Sequence, residues 1–187
     1  MNKTTAKQIT KGQIDKRGGF RLSDCYQCGK CSAGCPMTDY MDILPHQIVR
    51  FCQLDIPELI DRALRSRTIW LCVSCETCST RCPKDFDIAH LMDVLREISL
   101  ERDLAHPDSK NIITFHEVFK KSIEKTGRLN EFALATGYKM RSMDFFSDVT
   151  RFPKMILARK IHFLPTKIKG IKAIKNIFKK IRKYEEE

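Results

Sequence analysis

Eight of the nine cysteines in this 187-residue chain fall into two runs of identical spacing. The first is Cys25, Cys28, Cys31 and Cys35, followed by Pro36; the second is Cys72, Cys75, Cys78 and Cys82, followed by Pro83. Each reads C-x2-C-x2-C-x3-C-P, and corresponding cysteines stand a constant 47 residues apart, the mark of an internal duplication. An Asp-aromatic pair follows each run, Asp39-Tyr40 and Asp85-Phe86. Thiolates at this density are ligands for soft metals. Three cysteines separated by two residues each wrap a tight loop that offers three thiolates to one face of an iron-sulfur cube. The fourth thiolate must come from elsewhere.

In two-cluster ferredoxins the last cysteine of such a run, the one before proline, ligates the other cluster. Applied to this chain, cluster one takes Cys25, Cys28, Cys31 and Cys82, and cluster two takes Cys72, Cys75, Cys78 and Cys35. The exchange would lock the two halves together and couple cluster loss to unfolding. Zinc is the alternative, since tetrahedral thiolate sites also use C-x2-C pairs, typically set about a dozen residues or more apart. Here four thiols are compressed into eleven positions, twice, and the spacing favours two 4Fe-4S clusters. With all eight thiolates committed to iron, no coordination position is left for substrate. The expected chemistry is one-electron transfer with no catalytic residue in this chain, any bond-breaking step belonging to a partner.

The remaining reactive residues read as structural. Cys52 recurs with Leu44 and Ile48 at helical spacing and is expected in the core as a small apolar residue. Lys30, Arg81 and Lys84 stand immediately beside ligands; they either favour the reduced clusters or are ordinary solvated charges. The five histidines, His46, His90, His106, His116 and His162, occupy unrelated contexts with no i, i+4 pair. No G-x-G-x-x-G or P-loop pattern occurs, so no nucleotide or flavin site is expected.

The elements around the cysteines read as helices. Two patterns fill the linker between the runs, one after Pro45 and one in PELIDRALRS, where Leu59, Ile60 and Leu64 share a face. Asp87 is placed to cap a helix striped by Ile88, Leu91, Met92, Leu95 and Ile98. Asp108 to Lys125 gives another, with Ile112, Phe115, Val118, Phe119 and Ile123, ended by Gly127, and LNEFALATGYKM is a shorter candidate. The expected fold class is all-α: a helical ferredoxin-type domain packaging two 4Fe-4S clusters, with a basic helical C-terminal extension.

Charge divides the chain. Residues 151–187 hold 12 Lys or Arg and 3 acids, a net of +9 out of +11, leaving +2 for residues 1–150. Ile168, Ile171, Ile174, Phe178 and Ile181 recur among the lysines, a basic amphipathic pattern that suits a partner or its own domain, an anionic membrane, or nucleic acid. Partner docking or self-packing is preferred; peripheral membrane contact is possible, and no nucleic acid is expected, there being no helix-turn-helix or RNA-binding signature. The expected divisions are a polar N-terminal arm (1–20), a two-cluster domain (21–105), a helical extension (106–150) and basic C-terminal helices (151–187). The charged N-terminus does not read as a signal peptide and no stretch is apolar enough to span a bilayer, so the chain reads as cytoplasmic.

The runs CYQCGKCSAGCP and CVSCETCSTRCP, with PHQIVRFCQLD, TIWLCVSC and KDFDIAHLMDVLRE, resemble the C subunit of heterodisulfide reductase from methanogenic archaea over about residues 20–100. The resemblance implies the helical ferredoxin fold, also found in the iron-sulfur subunits of succinate dehydrogenase and anaerobic glycerol-3-phosphate dehydrogenase. It implies a cytoplasmic complex in which a flavin-bearing A subunit bifurcates electrons. The C subunit relays one branch to a B subunit that splits the coenzyme M-coenzyme B heterodisulfide, and a hydrogenase or formate dehydrogenase feeds the A subunit. It carries the same ligand sets onto Cys25, Cys28, Cys31 and Cys82, and onto Cys72, Cys75, Cys78 and Cys35. No adjacent Cys-Cys pair occurs, so the B subunit's twin-cysteine motif is absent. Two other readings remain: the iron-sulfur subunit of a flavin dehydrogenase for a hydroxy acid or glycerol phosphate, and a zinc-stapled nucleic-acid-binding protein.

Overall fold

The computed structural model describes residues 8–142 and 168–186. Ten α-helices and three short 3₁₀ turns form the regular structure of the described residues, with no strand among them. The chain divides into two compact units, residues 1–110 and 111–187.

The first unit contains α1 (Lys11–Gly18), α2 (Lys30–Ala33), α3 (Pro45–Leu54), α4 (Pro57–Leu64), α5 (Thr68–Leu71), α6 (Thr77–Thr80) and α7 (Ile88–Glu101). The short α2 and α6 lie inside the cysteine runs, and the longer α3 and α7 follow them. Pro45 and Pro57 open α3 and α4 at first-turn positions, where the missing N–H is not needed. Helix α7 is set by its apolar period. Ile88, Leu91, Met92, Leu95 and Ile98 are all buried, and the Asp87 carboxylate accepts the His90 N–H at 3.0 Å to cap the first turn. That stripe packs against α1, α4, α5 and α6, while α3 packs against α1, α2 and α4.

The polar arm of residues 1–20 contains a helix that its composition conceals. One apolar side chain, Ile14, is fully buried, and polar contacts position the rest of α1. Thr10 and Gln13 form a capping box, the Lys11 N–H donates to Asp55 at 2.6 Å, and Asp15 accepts the Leu22 N–H at 2.7 Å.

The second unit contains α8 (Lys110–Thr126), α9 (Glu131–Ser142) and α10 (Ile171–Glu186). Asp108 falls in a 3₁₀ turn, Pro107–Ser109, in which the His106 ring accepts the Asp108 N–H at 3.2 Å, so the helix expected from Asp108 starts two residues later. Of its expected stripe Val118 is buried, Ile112 and Ile123 are half-buried, and Phe115 and Phe119 are exposed. Gly127 ends α8 at φ +77°, a conformation that suits glycine. Residues 151–167 of the expected basic helices lie outside the described residues.

Asp42 ties the linker to the second cysteine run. Its carboxylate accepts the Arg67 N–H at 3.1 Å, the Thr68 N–H at 3.0 Å and the Thr68 hydroxyl at 2.8 Å, serving as an external cap for α5. Burial raises its pKa, but these hydrogen bonds outweigh burial and hold it below the ordinary 3.8. Asp42→Ala is expected to lower stability by about 1 kcal/mol near neutral pH, measured by anaerobic urea unfolding. Because the folded pKa is depressed, this contribution is complete above the unfolded value and is lost as pH falls through the folded one. The two proteins should therefore converge in strong acid.

Candidate metal centre

The two cysteine loops trace the same backbone path. Positive φ occurs at Gln27 (64°) and Ser74 (49°), 47 residues apart, and again at Gly29 (76°) and Glu76 (58°), the N-caps of α2 and α6. At Gly29 this conformation is free of Cβ strain. At Gln27, Ser74 and Glu76 it carries a steric cost of roughly 1 kcal/mol or more each.

A serine after the third cysteine anchors each loop to the helix that follows its run. Ser32 Oγ lies 2.7 Å from His46 Nδ1 and accepts the His46 N–H at 3.1 Å, fixing the first loop to the start of α3. Ser79 Oγ donates to Asp87 at 2.8 Å, fixing the second loop to the start of α7. Gln53 of α3 donates to the Leu22 and Cys25 carbonyls at 2.7 and 2.6 Å. On the second loop Arg96 of α7 does the same for the Ile69 and Cys72 carbonyls.

The thiols of the two runs meet across the duplication. A small pocket, partly open to solvent, is lined by Cys72, Cys75 and Cys78 of the second run together with Cys35 of the first. Its other walls are mainly apolar: Pro36, Met37, Met41, Pro45, Val73, Ile88, Ala89 and Met92. In the opposite direction, burial raises the Cys25 thiol, and the charge of Cys82 adds to that rise. Helix α2 packs against α6, and the Arg81 side chain fills the space that a Cβ on Gly34 would take.

The immediate surroundings of the two sets differ. Gln27 Nε2 donates to Cys25 Sγ at 3.5 Å, and the Phe86 N–H donates to Cys82 Sγ at 3.3 Å. A polar cavity beside Cys25 is lined by Lys11, Gln27, Arg50 and Gln53. On the other side the Thr77 hydroxyl lies 3.4 Å from Cys75 Sγ and lowers that thiol's pKa. Burial raises Cys31 and Cys78. Lys30, Arg81 and Lys84 are exposed. Among the described residues no three His, Cys, Asp or Glu side chains converge on a point that would hold a single metal ion.

Residues 21–86 match the 4Fe-4S dicluster domain family. That stretch and its flanks also resemble the C subunits of heterodisulfide reductases. The C subunit of the H(2):CoB-CoM heterodisulfide,ferredoxin reductase of Methanothermobacter marburgensis is 29% identical over 115 residues, 57% of this chain and 60% of that protein. The C subunit of the Ferredoxin:CoB-CoM heterodisulfide reductase of Methanosarcina acetivorans is 31% identical over 100 residues, 54% of this chain and 39% of that protein. The second iron-sulfur C subunit of the CoB–CoM heterodisulfide reductase of Methanocaldococcus jannaschii is 34% identical over 88 residues, 46% of this chain and 45% of that protein. The chain thus spans from two-fifths to three-fifths of these relatives. No helix among the described residues is long and apolar enough to cross a membrane.

Several residues that position the two cysteine loops carry weak sequence signals. His46 and His90 are holders of backbone: His46 through Ser32, and His90 through the Gly18 carbonyl at 3.1 Å and the Phe20 ring. Ser32 and Ser79 show in the sequence only as another identity at 47-residue spacing. Gln53 and Arg96 act on carbonyls distant in sequence, which no local pattern announces. His116 is exposed, and His162 lies outside the described residues.

Cys52 is fully buried, and burial, with the Asp15 charge, pushes its thiol up to about 12. A thiol so protonated is a poor nucleophile. Cys52→Ala is expected to keep the full cluster absorbance, and native Cys52 to resist iodoacetamide until the protein unfolds; cluster loss in the variant would assign Cys52 a ligand role instead.

Proposed function

We propose that this chain is the electron-relay subunit of a heterodisulfide reductase complex in the cytoplasm, holding two 4Fe-4S clusters in a helical ferredoxin-type fold. Cys25, Cys28, Cys31 and Cys82 hold one cluster, and Cys72, Cys75, Cys78 and Cys35 hold the other. The observation that carries this reading is the cavity in which Cys35 of the first run joins Cys72, Cys75 and Cys78 of the second. The donor set fits: four soft thiolates around a mostly apolar volume suit an iron-sulfur cube. Bound there, such clusters take up and release single electrons.

The residues of this chain hold and insulate. Pro36, Met41, Pro45 and Met92 give one set of thiols an apolar wall, and the Ser32–His46 and Ser79–Asp87 links keep both loops on rigid helices. In this proposal electrons come from a flavin-bearing A subunit, itself supplied by a hydrogenase or formate dehydrogenase. They pass to a B subunit that reduces the coenzyme M-coenzyme B heterodisulfide. The names of the relatives support that assignment.

The unequal surroundings imply unequal potentials. Donors to Cys25 and Cys82, and the cations Lys11 and Arg50 near Cys25, stabilise added negative charge on the first set. The second set has apolar walls, the acidic Glu76 and one polar contact, the Thr77 hydroxyl at Cys75. The cluster on Cys25, Cys28, Cys31 and Cys82 should therefore have the higher potential and be the electron's resting place.

Two experiments test the proposal. Anaerobic purification of the native complex should recover flavin-bearing and heterodisulfide-cleaving subunits; recovery with a hydroxy-acid or glycerol-phosphate dehydrogenase instead would replace this assignment. In a potentiometric titration followed by electron paramagnetic resonance, Cys82→Ser should perturb the higher-potential signal and spare the other. Perturbation of the lower-potential signal would reverse the potential order. Loss confined to the cluster of Cys72, Cys75 and Cys78 would refute the crossed ligation.

A further inference from the structure

The cluster wire leaves α10 without a role, and its two faces differ sharply in chemistry. At about 100° per residue, Ile171, Ile174, Ile177, Phe178, Ile181 and Tyr184 fall within one arc of about 140°. Lys172, Lys175, Lys179, Lys180, Arg182 and Lys183 fill the rest, and no acid interrupts residues 169–184. The second unit covers only part of the apolar arc. Phe178 and Ile181 line a cavity with Glu117, Lys120, Lys121 and Glu124 of α8, and Arg182 pairs with Glu124. Ile177 is still 53% exposed, Ile181 45% and Tyr184 78%.

We propose that α10 lies in the plane of an anionic lipid surface, with Ile177, Ile181 and Tyr184 in the acyl boundary and its lysines among the phosphates. Three features favour lipid over an acidic protein. The cations flank the apolar arc on both sides: Lys180 stands beyond one edge and Lys175 beyond the other, where their stems can run along apolar surface and their heads reach a charged plane. The cations are five lysines and one arginine, whereas protein interfaces enrich arginine and deplete lysine. The charge is also uniform along the helix, matching a smeared surface charge rather than a few discrete carboxylates.

The test is co-sedimentation of the full, cluster-loaded chain with vesicles of mixed phosphatidylglycerol and phosphatidylcholine, against phosphatidylcholine alone. Partitioning onto the anionic vesicles is expected to be about tenfold stronger, and to drop severalfold when salt is raised to about 0.5 M. Ile177→Glu with Ile181→Glu, and separately Lys175→Glu with Lys179→Glu, should each abolish most of the partitioning while cluster absorbance is retained. Equal partitioning onto both vesicles, absence from both, or unchanged partitioning in the isoleucine variant would overturn the proposal. So would an α10 needed for capture of an acidic subunit in a protein that ignores vesicles.

Discussion

The packing of α2 against α6 is the contact on which the arrangement of the thiols depends. Each of these single-turn helices is too short to persist alone, and each lies inside a loop with residues at positive φ. Facing one another, they bring Cys35 to the thiols of the second run and bring Cys82 within electrostatic range of Cys25. Arg81 lying over Gly34 seals the contact. A duplicated motif thereby becomes a paired structure whose halves are incomplete separately.

The helices are the frame for that pairing. The helix after each run starts at a hydrogen bond from the serine inside the run, so loop and helix are positioned together. Gln53 and Arg96 hold the carbonyls near the first cysteine of each run in the same manner from different helices. The chemistry around the thiols then diverges, polar and cationic near Cys25 and apolar beside Cys72. In the proposed relay this asymmetry would give an electron a preferred position, which two identical cubes would not.

The centre was largely legible in the sequence because its signal is local. The spacing of eight thiols and two prolines pointed to 4Fe-4S clusters, as does the family match over residues 21–86, and the five-residue stripe of α7 announced a buried helix. Other features depend on long-range contacts that leave no local period. Helix α1 rests on a single buried isoleucine, Ile14, with polar anchors, so its polar composition hid it. His46 has the look of an ordinary surface histidine because its partner Ser32 lies 14 residues away. Phe115 and Phe119 follow the helical period of α8 yet are exposed, since periodicity states which residues share a face and not whether that face is covered.

Iron, acid-labile sulfide and zinc determination on the anaerobically purified chain, with electron paramagnetic resonance of the fully reduced form, tests the paired-cluster account most directly. The account predicts about eight irons and eight sulfides per chain and a spectrum of two spin-coupled centres. Two zinc ions in place of iron, or a single four-iron centre with four free thiols, would contradict it.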